Sequence, residues 1–202
     1  MLRSAKSPLV PAVVALLLAL SLASGCNDNG TSGGAISTEI VATYTPDAEP
    51  TEGSVTLQEG DETASSDTFN VEIVVMGVDD VSAVTFQVTF NPYLLAFVGS
   101  DFSGCFLVEG LADPGSEFEA GALDMGGGEV DVFATRIGED LGGVPMEPTD
   151  QGVLGVLTFQ AIREASVLPE LAIEDIVVKV CVEGGICENR DVTVAGGTVS
   201  VD

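Results

Sequence analysis

The sequence predicts an all-β domain, a two-sheet sandwich of jelly-roll topology with about nine strands. Three observations predict this fold class. From about residue 52 onward, apolar residues recur with period two in short runs, Gly, Asp, Asn and Pro separate those runs, and no segment keeps a helical pattern over three turns. A chain of about 150 residues can bury the core of such a sandwich without a metal.

Each strand is placed where the alternation is clearest. In Val84–Phe90 the even-numbered positions are apolar and the odd-numbered ones polar, which predicts one buried and one solvated face. In order along the chain, the predicted strands are Ser54–Leu57, Thr68–Met76, Val84–Phe90, Leu94–Gly99, Glu129–Thr135, Val153–Ala161, Leu171–Val182 and Val192–Val201. Six phenylalanines are expected to supply the large core groups: Phe69, Phe86, Phe90, Phe97, Phe133 and Phe159.

The N-terminus has the pattern of an export signal, predicted over residues 1–25. Arg3 and Lys6 precede an apolar stretch that is too short to span a bilayer as a permanent helix. The run Leu22–Cys26 resembles a bacterial lipobox, which implies lipidation of Cys26; ordinary cleavage that leaves Cys26 as a thiol is the alternative. The sequence thus predicts an exported protein, anchored to the cell envelope or cell surface through its N-terminal lipid only.

Residues 26–51 are predicted to be a flexible linker, and residues 52–202 the folded domain. The linker is rich in Asn, Asp, Gly, Ser and Thr, with Pro46 and Pro50 between acidic residues, although Ile40–Ala42 could add a short strand. A lipidated cysteine followed by such a spacer would present the domain at a short distance from a membrane.

Charge and composition exclude several classes of function. Lys and Arg number 6 against 32 Asp and Glu, a net charge of −26 that disfavours nucleic acid as a partner. The chain has no His, which removes imidazole catalysis and His-ligated zinc. With no Trp and two Tyr, there are few rings on which sugars could stack. The composition therefore favours a binding module over an enzyme.

The cysteines suggest one disulfide. Cys181 and Cys187 are symmetric about Gly184 in a predicted hairpin, where residues face each other at disulfide distance. Cys105 is then expected to be a buried apolar residue. If Cys26 is not lipidated, four cysteines allow three pairings and this preference weakens.

The acidic residues predict a solvated surface more than a site. Loop acids at Asp79–Asp80, Glu139–Asp140 and Gly60–Glu62 could in principle attract calcium, but none has the spacing of an EF-hand loop. We therefore expect no metal and no cofactor in this chain.

Several motifs together resemble the cohesin family. They are Phe69–Val75, the turn Gly77–Ala83, the strand that ends in Phe90-Asn91-Pro92 and Leu94-Leu95, the run Gly152–Ala161 and the closing Gly196–Val201. The resemblance spans about residues 52–202. It implies a nine-stranded jelly roll that binds a calcium-loaded dockerin through one sheet face, with the calcium on the dockerin and not on this chain.

The resemblance also implies partner-binding positions. The outward residues of the strand before Phe90 are Ala83, Thr85, Gln87 and Thr89, and Asp131 and Arg136 are expected on the same face. Dockerin-bearing proteins active on polysaccharides would be the partners. Two alternatives stay open: a carbohydrate-binding module that uses Tyr93 or another exposed ring, and a glycosidase that uses two carboxylates, for which a compact sandwich offers little cleft.

Overall fold

The computed structural model describes residues 39–63, 65–138, 142–182 and 186–202. The predicted signal sequence, Cys26 and most of the predicted linker lie outside the described residues, as do Glu139 and Asp140. Residues 38–202 form one compact unit. In the described residues, no helix has the length and apolar character needed to cross a membrane.

The unit is a two-sheet β-sandwich, as predicted. Its strands are β1 Ala42–Pro46, β2 Ser54–Glu59, β3 Thr68–Met76, β4 Val81–Thr89, β5 Leu95–Asp101, β6 Phe118–Gly126, β7 Glu129–Arg136, β8 Gln151–Ala161, β9 Glu170–Val182, β10 Ile186–Arg190, β11 Thr193–Ala195 and β12 Gly197–Val201. A 3₁₀ helix at Phe106–Val108 and a short helix α1 at Pro114–Glu117 lie between β5 and β6.

The larger sheet has seven strands. Six lie in the order β1-β12-β9-β4-β7-β6, and the seventh, β10, pairs with the C-terminal half of β9. The smaller sheet has five strands in the order β11-β2-β3-β8-β5. All the pairs are antiparallel except β11 with β2. Strand β4 is therefore central in the larger sheet, paired with β9 on one side and β7 on the other.

The core between the sheets is centred on Phe159, which is fully buried. Its ring lies 5.8 Å from Phe69, 5.4 Å from Phe90 and 5.6 Å from Phe97, measured between ring centroids. Tyr44 stacks on Phe69 at 6.2 Å. These contacts fill the centre of the sandwich with rings in stacked and edge-on arrangements, which aromatic pairs favour.

The folded unit starts earlier than the boundary expected at residue 52. Strand β1 pairs with β12 and buries Tyr44, whose hydroxyl donates a hydrogen bond to the carbonyl oxygen of Leu57. Burial raises the pKa of Tyr44 far above its ordinary value. Residues 42–46 are thus part of the sheet although Pro46 and the surrounding acids are typical of a linker.

The predicted strand at residues 192–201 is two strands that lie in different sheets. Strand β11 pairs with β2 in the smaller sheet, and β12 pairs with β1 and β9 in the larger one. The chain changes sheets at Gly196, where a Cβ atom would lie 1.9 Å from the carbonyl oxygen of Leu171. Only glycine fits this close approach of two backbones.

Candidate functional site

The outer surface of β9, β4, β7 and β6 is a broad four-stranded face, which we call the front face. Alternation along β4 sets it: Val84, Phe86 and Val88 are buried in the core, so the odd-numbered residues from Ala83 to Thr89 point outward. The strand pairing then shows which residues of β9, β7 and β6 lie beside these outward residues. The front face consists of Ala83, Thr85, Gln87, Thr89, Glu119, Gly121, Leu123, Glu129, Asp131, Phe133, Thr135, Ala172, Glu174, Val177 and Lys179.

The four outward residues of β4 that the sequence singled out lie along the middle of the front face. Gln87 is opposite Asp131 of β7 and Glu174 of β9. Its side-chain Nε2 donates a hydrogen bond of 3.0 Å to Oδ1 of Asp131. Thr85 is opposite Phe133 on one side and Val177 on the other. The centre of the face is therefore a polar pair beside an apolar one.

Arg136 is not on the front face. It follows Thr135 directly, and successive residues of a strand point to opposite faces, so Arg136 has the orientation of the buried Ala134 and not that of Asp131. Burial lowers the pKa of its guanidinium, and the nearby Glu117 partly offsets that shift. The expectation that Arg136 accompanies Asp131 is thus wrong, because the two are an odd number of residues apart.

Phe133 is also placed differently from the expectation that it belongs to the core. It lies on the front face, and a Cβ atom built on Gly121 of the adjacent strand would come within 3.0 Å of its ring. The ring therefore covers the glycine of β6 and forms part of the outer surface. Sequence reasoning did not identify Leu123 either, since Phe118–Gly126 mixes Gly, Ala and acids and gives no strand signal.

A bulge in β9 shapes the centre of the face. Thr85 pairs with Val177 and Gln87 with Glu174, which leaves an extra residue on β9. Asp175 lies in this bulge with a φ of 51°, a left-handed conformation that Asp tolerates better than most residues.

A shallow depression of about 370 Å³ lies beside the bulge. Its lining residues come from β4, β6, β7 and β9: Thr85, Phe86, Gln87, Leu123, Asp131, Val132, Phe133 and Asp175. Leu123 and Phe133 give it apolar walls, and Asp131 and Asp175 give it two carboxylates. The depression is open and lies on a face, so it suits a protruding side chain better than an enclosed small molecule.

The front face carries exposed apolar side chains. Leu123 is 56 % exposed and Val177 is 42 % exposed. By contrast, polar side chains on the outer surface of the smaller sheet bond to each other: Thr158 donates to Asn70, and Gln160 to Asp67. The front face thus combines exposed apolar groups with acids, a composition compatible with protein binding.

A disulfide joins Cys181 to Cys187, which are directly opposite on β9 and β10. The Cys181 sulfur lies 2.9 Å from Oγ of Ser82. Cys105 is a free thiol with 1 % of its surface exposed, and burial raises its pKa to about 11. The disulfide ties β10 to the strand that carries Val177 and Lys179.

One of the loop acids, Asp79, has a structural role in hydrogen bonding. Oδ1 of Asp79 accepts hydrogen bonds from the backbone N–H of Asp80 and of Met146. Among the residues that the structure describes, no group of three or more acids, Cys or His could hold a metal ion. Tyr93 is 73 % exposed in the turn after β4, outside the front face.

Comparison with solved structures identifies the fold. No family model and no curated protein matches the sequence. The sixth cohesin of scaffoldin B from Acetivibrio cellulolyticus, solved in complex with a mutant Cel5 dockerin, is similar with a TM-score of 0.54 at 15 % identity. The match covers 75 % of this chain and 100 % of that one.

Two further cohesins have the same fold. The seventh ScaB type I cohesin of Pseudobacteroides cellulosolvens matches with a TM-score of 0.55 at 11 % identity, over 72 % of this chain and 88 % of that one. A type II cohesin from the cellulosome of Acetivibrio cellulolyticus matches with a TM-score of 0.53 at 15 % identity, over 74 % of this chain and 95 % of that one. The chain therefore has the fold of these cohesins.

Proposed function

We propose that this chain is a non-catalytic binding module that docks a dockerin-bearing protein on its front face. The observation that carries the proposal is the front face itself: Thr85 and Gln87 run down its centre, with exposed Leu123 and Val177 beside them. The cohesin fold supports it, since one similar cohesin was solved with a dockerin. Any calcium would belong to the dockerin.

A pull-down with residues 30–202, which include the whole compact unit, tests the proposal. We expect recovery of a dockerin-bearing protein in calcium and its loss with a chelator. Thr85→Arg places a long charged side chain at the centre of the face and should weaken binding by roughly tenfold or more, since central contacts carry most of the energy of an interface.

Val98→Arg is the matched control. Val98 is 56 % exposed on β5 in the other sheet, so the same substitution there should leave binding unchanged. Equal retention of the partner by wild type and Thr85→Arg would contradict docking on the front face. Recovery of no dockerin-bearing protein would contradict the proposed function.

We further propose that the domain is displayed on the cell envelope through a lipid on Cys26, and that its partners act on polysaccharides. The apolar stretch before Leu22–Cys26 supports export and lipidation. One hydrocarbon chain binds a membrane only weakly, whereas the diacyl group that a lipobox implies gives stable anchoring.

Fractionation of a bacterium that expresses the full chain tests the anchor. Wild type should be recovered with the membranes, and Cys26→Ala should be recovered in a soluble fraction at similar abundance. Cys105→Ala is the control, because Cys105 is buried in the folded unit and should not affect membrane association. Membrane recovery of Cys26→Ala equal to wild type would contradict lipidation at this residue.

A further inference from the structure

The depression on the front face combines two chemical features. Leu123 and Phe133 line it with apolar surface, and Asp131 and Asp175 line it with carboxylates. The hydrogen bond from Gln87 holds the Asp131 carboxylate in place, and the bulge in β9 positions Asp175. A side chain that enters this depression thus meets apolar walls and negative charge together.

Negative charge dominates the surface around the depression. Among the described residues of the front face, Lys179 is the single cation. Five carboxylates lie on this face or in its bulge, those of Glu119, Glu129, Asp131, Glu174 and Asp175. A partner surface that is neutral or acidic would bury or oppose these charges at a cost, whereas a basic one would neutralise them.

We propose that the depression receives a lysine or arginine side chain of the docked partner. This inference rests on the proposed function and names the chemistry that selects the partner. The methylene stem of the side chain packs on Leu123 and Phe133, and its cationic end pairs with Asp131 and Asp175. Lys and Arg are the side chains that combine a long apolar stem with a charged end.

Two substitutions remove the charge without disturbing the fold. Asp131→Asn keeps an oxygen that accepts the hydrogen bond from Gln87. Asp175→Asn suits the observed φ of 51°, because Asn is enriched in the left-handed region. The double variant Asp131→Asn/Asp175→Asn therefore changes charge alone. Glu62→Gln/Glu164→Gln is the matched control, with the same charge change at exposed positions outside the depression.

The first experiment uses short peptides and needs no partner protein. Capped Gly-Lys-Gly, Gly-Arg-Gly, Gly-norleucine-Gly and Gly-Glu-Gly are titrated into isotope-labelled residues 30–202 and followed by NMR. We expect the Lys and Arg peptides to shift the methyl signals of Leu123 and the amide signals of Asp131 and Asp175. Norleucine, which keeps the stem without the charge, should bind about fivefold more weakly, the effect of two exposed ion pairs.

The double variant should reduce binding of the Lys and Arg peptides to the norleucine level, and the control variant should bind as wild type does. Shifts that are equal for the Lys, norleucine and Glu peptides would overturn the inference. Shifts confined to residues outside the depression would overturn it as well.

The second experiment separates this inference from the proposed function. A dockerin-bearing protein recovered by the pull-down is titrated against wild type, the double variant and the control variant. Weaker binding by the double variant alone supports the inference. Equal binding by all three overturns it and leaves the proposed function standing. If no dockerin-bearing protein binds, the proposed function fails, and the peptide titration alone decides whether the depression recognises a cation.

Discussion

At the scale of single residues, Asp67 makes the stability of the fold depend on pH. Its carboxylate accepts hydrogen bonds from Oγ of Ser65 and from Nε2 of Gln160, the latter at 2.7 Å. The bond from Ser65 is the largest cause that lowers the pKa of Asp67 below its ordinary value, and the bond from Gln160 adds to it. These bonds join the loop before β3 to the end of β8.

A lowered pKa means that the folded state favours the charged form of Asp67. The stabilisation is therefore present above the ordinary aspartate pKa and is lost as the pH falls through the lower folded value. We expect Asp67→Asn to be less stable than wild type at neutral pH and the difference to shrink below about pH 4.

Urea unfolding at a series of pH values measures this difference, with the exposed Asp61→Asn as the control. A difference between Asp67→Asn and wild type that stays constant from neutral to acidic pH would contradict the assigned role of Asp67.

The orientation of single residues on β7 follows from its own alternation, in which Val130, Val132 and Ala134 share the buried face and Asp131 and Phe133 the other. Phe133 was expected in the core because large apolar side chains are usually buried, yet its strand places it outward, where it covers Gly121. Arg136 was grouped with Asp131 because both are polar. Asp131 and Arg136 are five residues apart and point to opposite faces in any register, and the pairing with β4 and β6 adds only which residues lie beside each of them.

At the scale of elements, Gly196 allows the C-terminal run to change sheets. A Cβ atom at this position would lie 1.9 Å from the carbonyl oxygen of Leu171 and 3.2 Å from Cα of Ala172, so the backbone of β9 would have to move. We expect Gly196→Ala to destabilise the protein by about 2 kcal/mol or more, the range of overpacked buried sites.

Gly99→Ala is the matched control, because nothing lies within 4 Å of a Cβ atom built on Gly99 of β5. Urea unfolding of the two variants and wild type gives the comparison. Equal midpoints for Gly196→Ala and wild type would show that the crossing between β11 and β12 tolerates a side chain.

Most strands were predictable from alternation because each buries one face against the other sheet. Strands β3, β4, β7, β8 and β9 lie close to their predicted ranges, since their apolar positions have period two. Strands β1 and β6 were missed for a physical reason: they lie at the two ends of the larger sheet, where few of their residues are buried. Edge strands depend on pairing more than on their own hydrophobic pattern.

The front face was predictable only in part for the same reason. The outward residues of the central β4 follow from its own alternation, so Thr85 and Gln87 could be named in advance. Leu123 lies on the missed strand β6, and Asp175 lies in a bulge that depends on the pairing of β9 with β4. Sequence alone could place the middle of the site but not the depression beside it.

At the scale of the whole molecule, the net charge of −26 makes self-repulsion a general cost of folding. The compact state brings carboxylates together, and the few cations can neutralise only a small part of them. One salt bridge is found in the described residues, between Arg190 and Glu188, at 3.7 Å and on the surface. Exposed pairs of this kind contribute about 1 kcal/mol at most.

Salt should therefore raise stability and lower partner affinity at the same time. The Debye length falls from about 10 Å at 0.1 M to about 3 Å at 1 M salt, which screens repulsion among the surface acids and also their attraction to a basic partner. We expect the melting temperature of residues 30–202 to rise over this range of sodium chloride, while association with the partner slows and affinity falls. Thermal unfolding and binding kinetics measured in the same buffers give both quantities. A melting temperature that falls with salt would contradict self-repulsion as a cost of folding, and an affinity that rises with salt would indicate a front face that binds through apolar contacts alone.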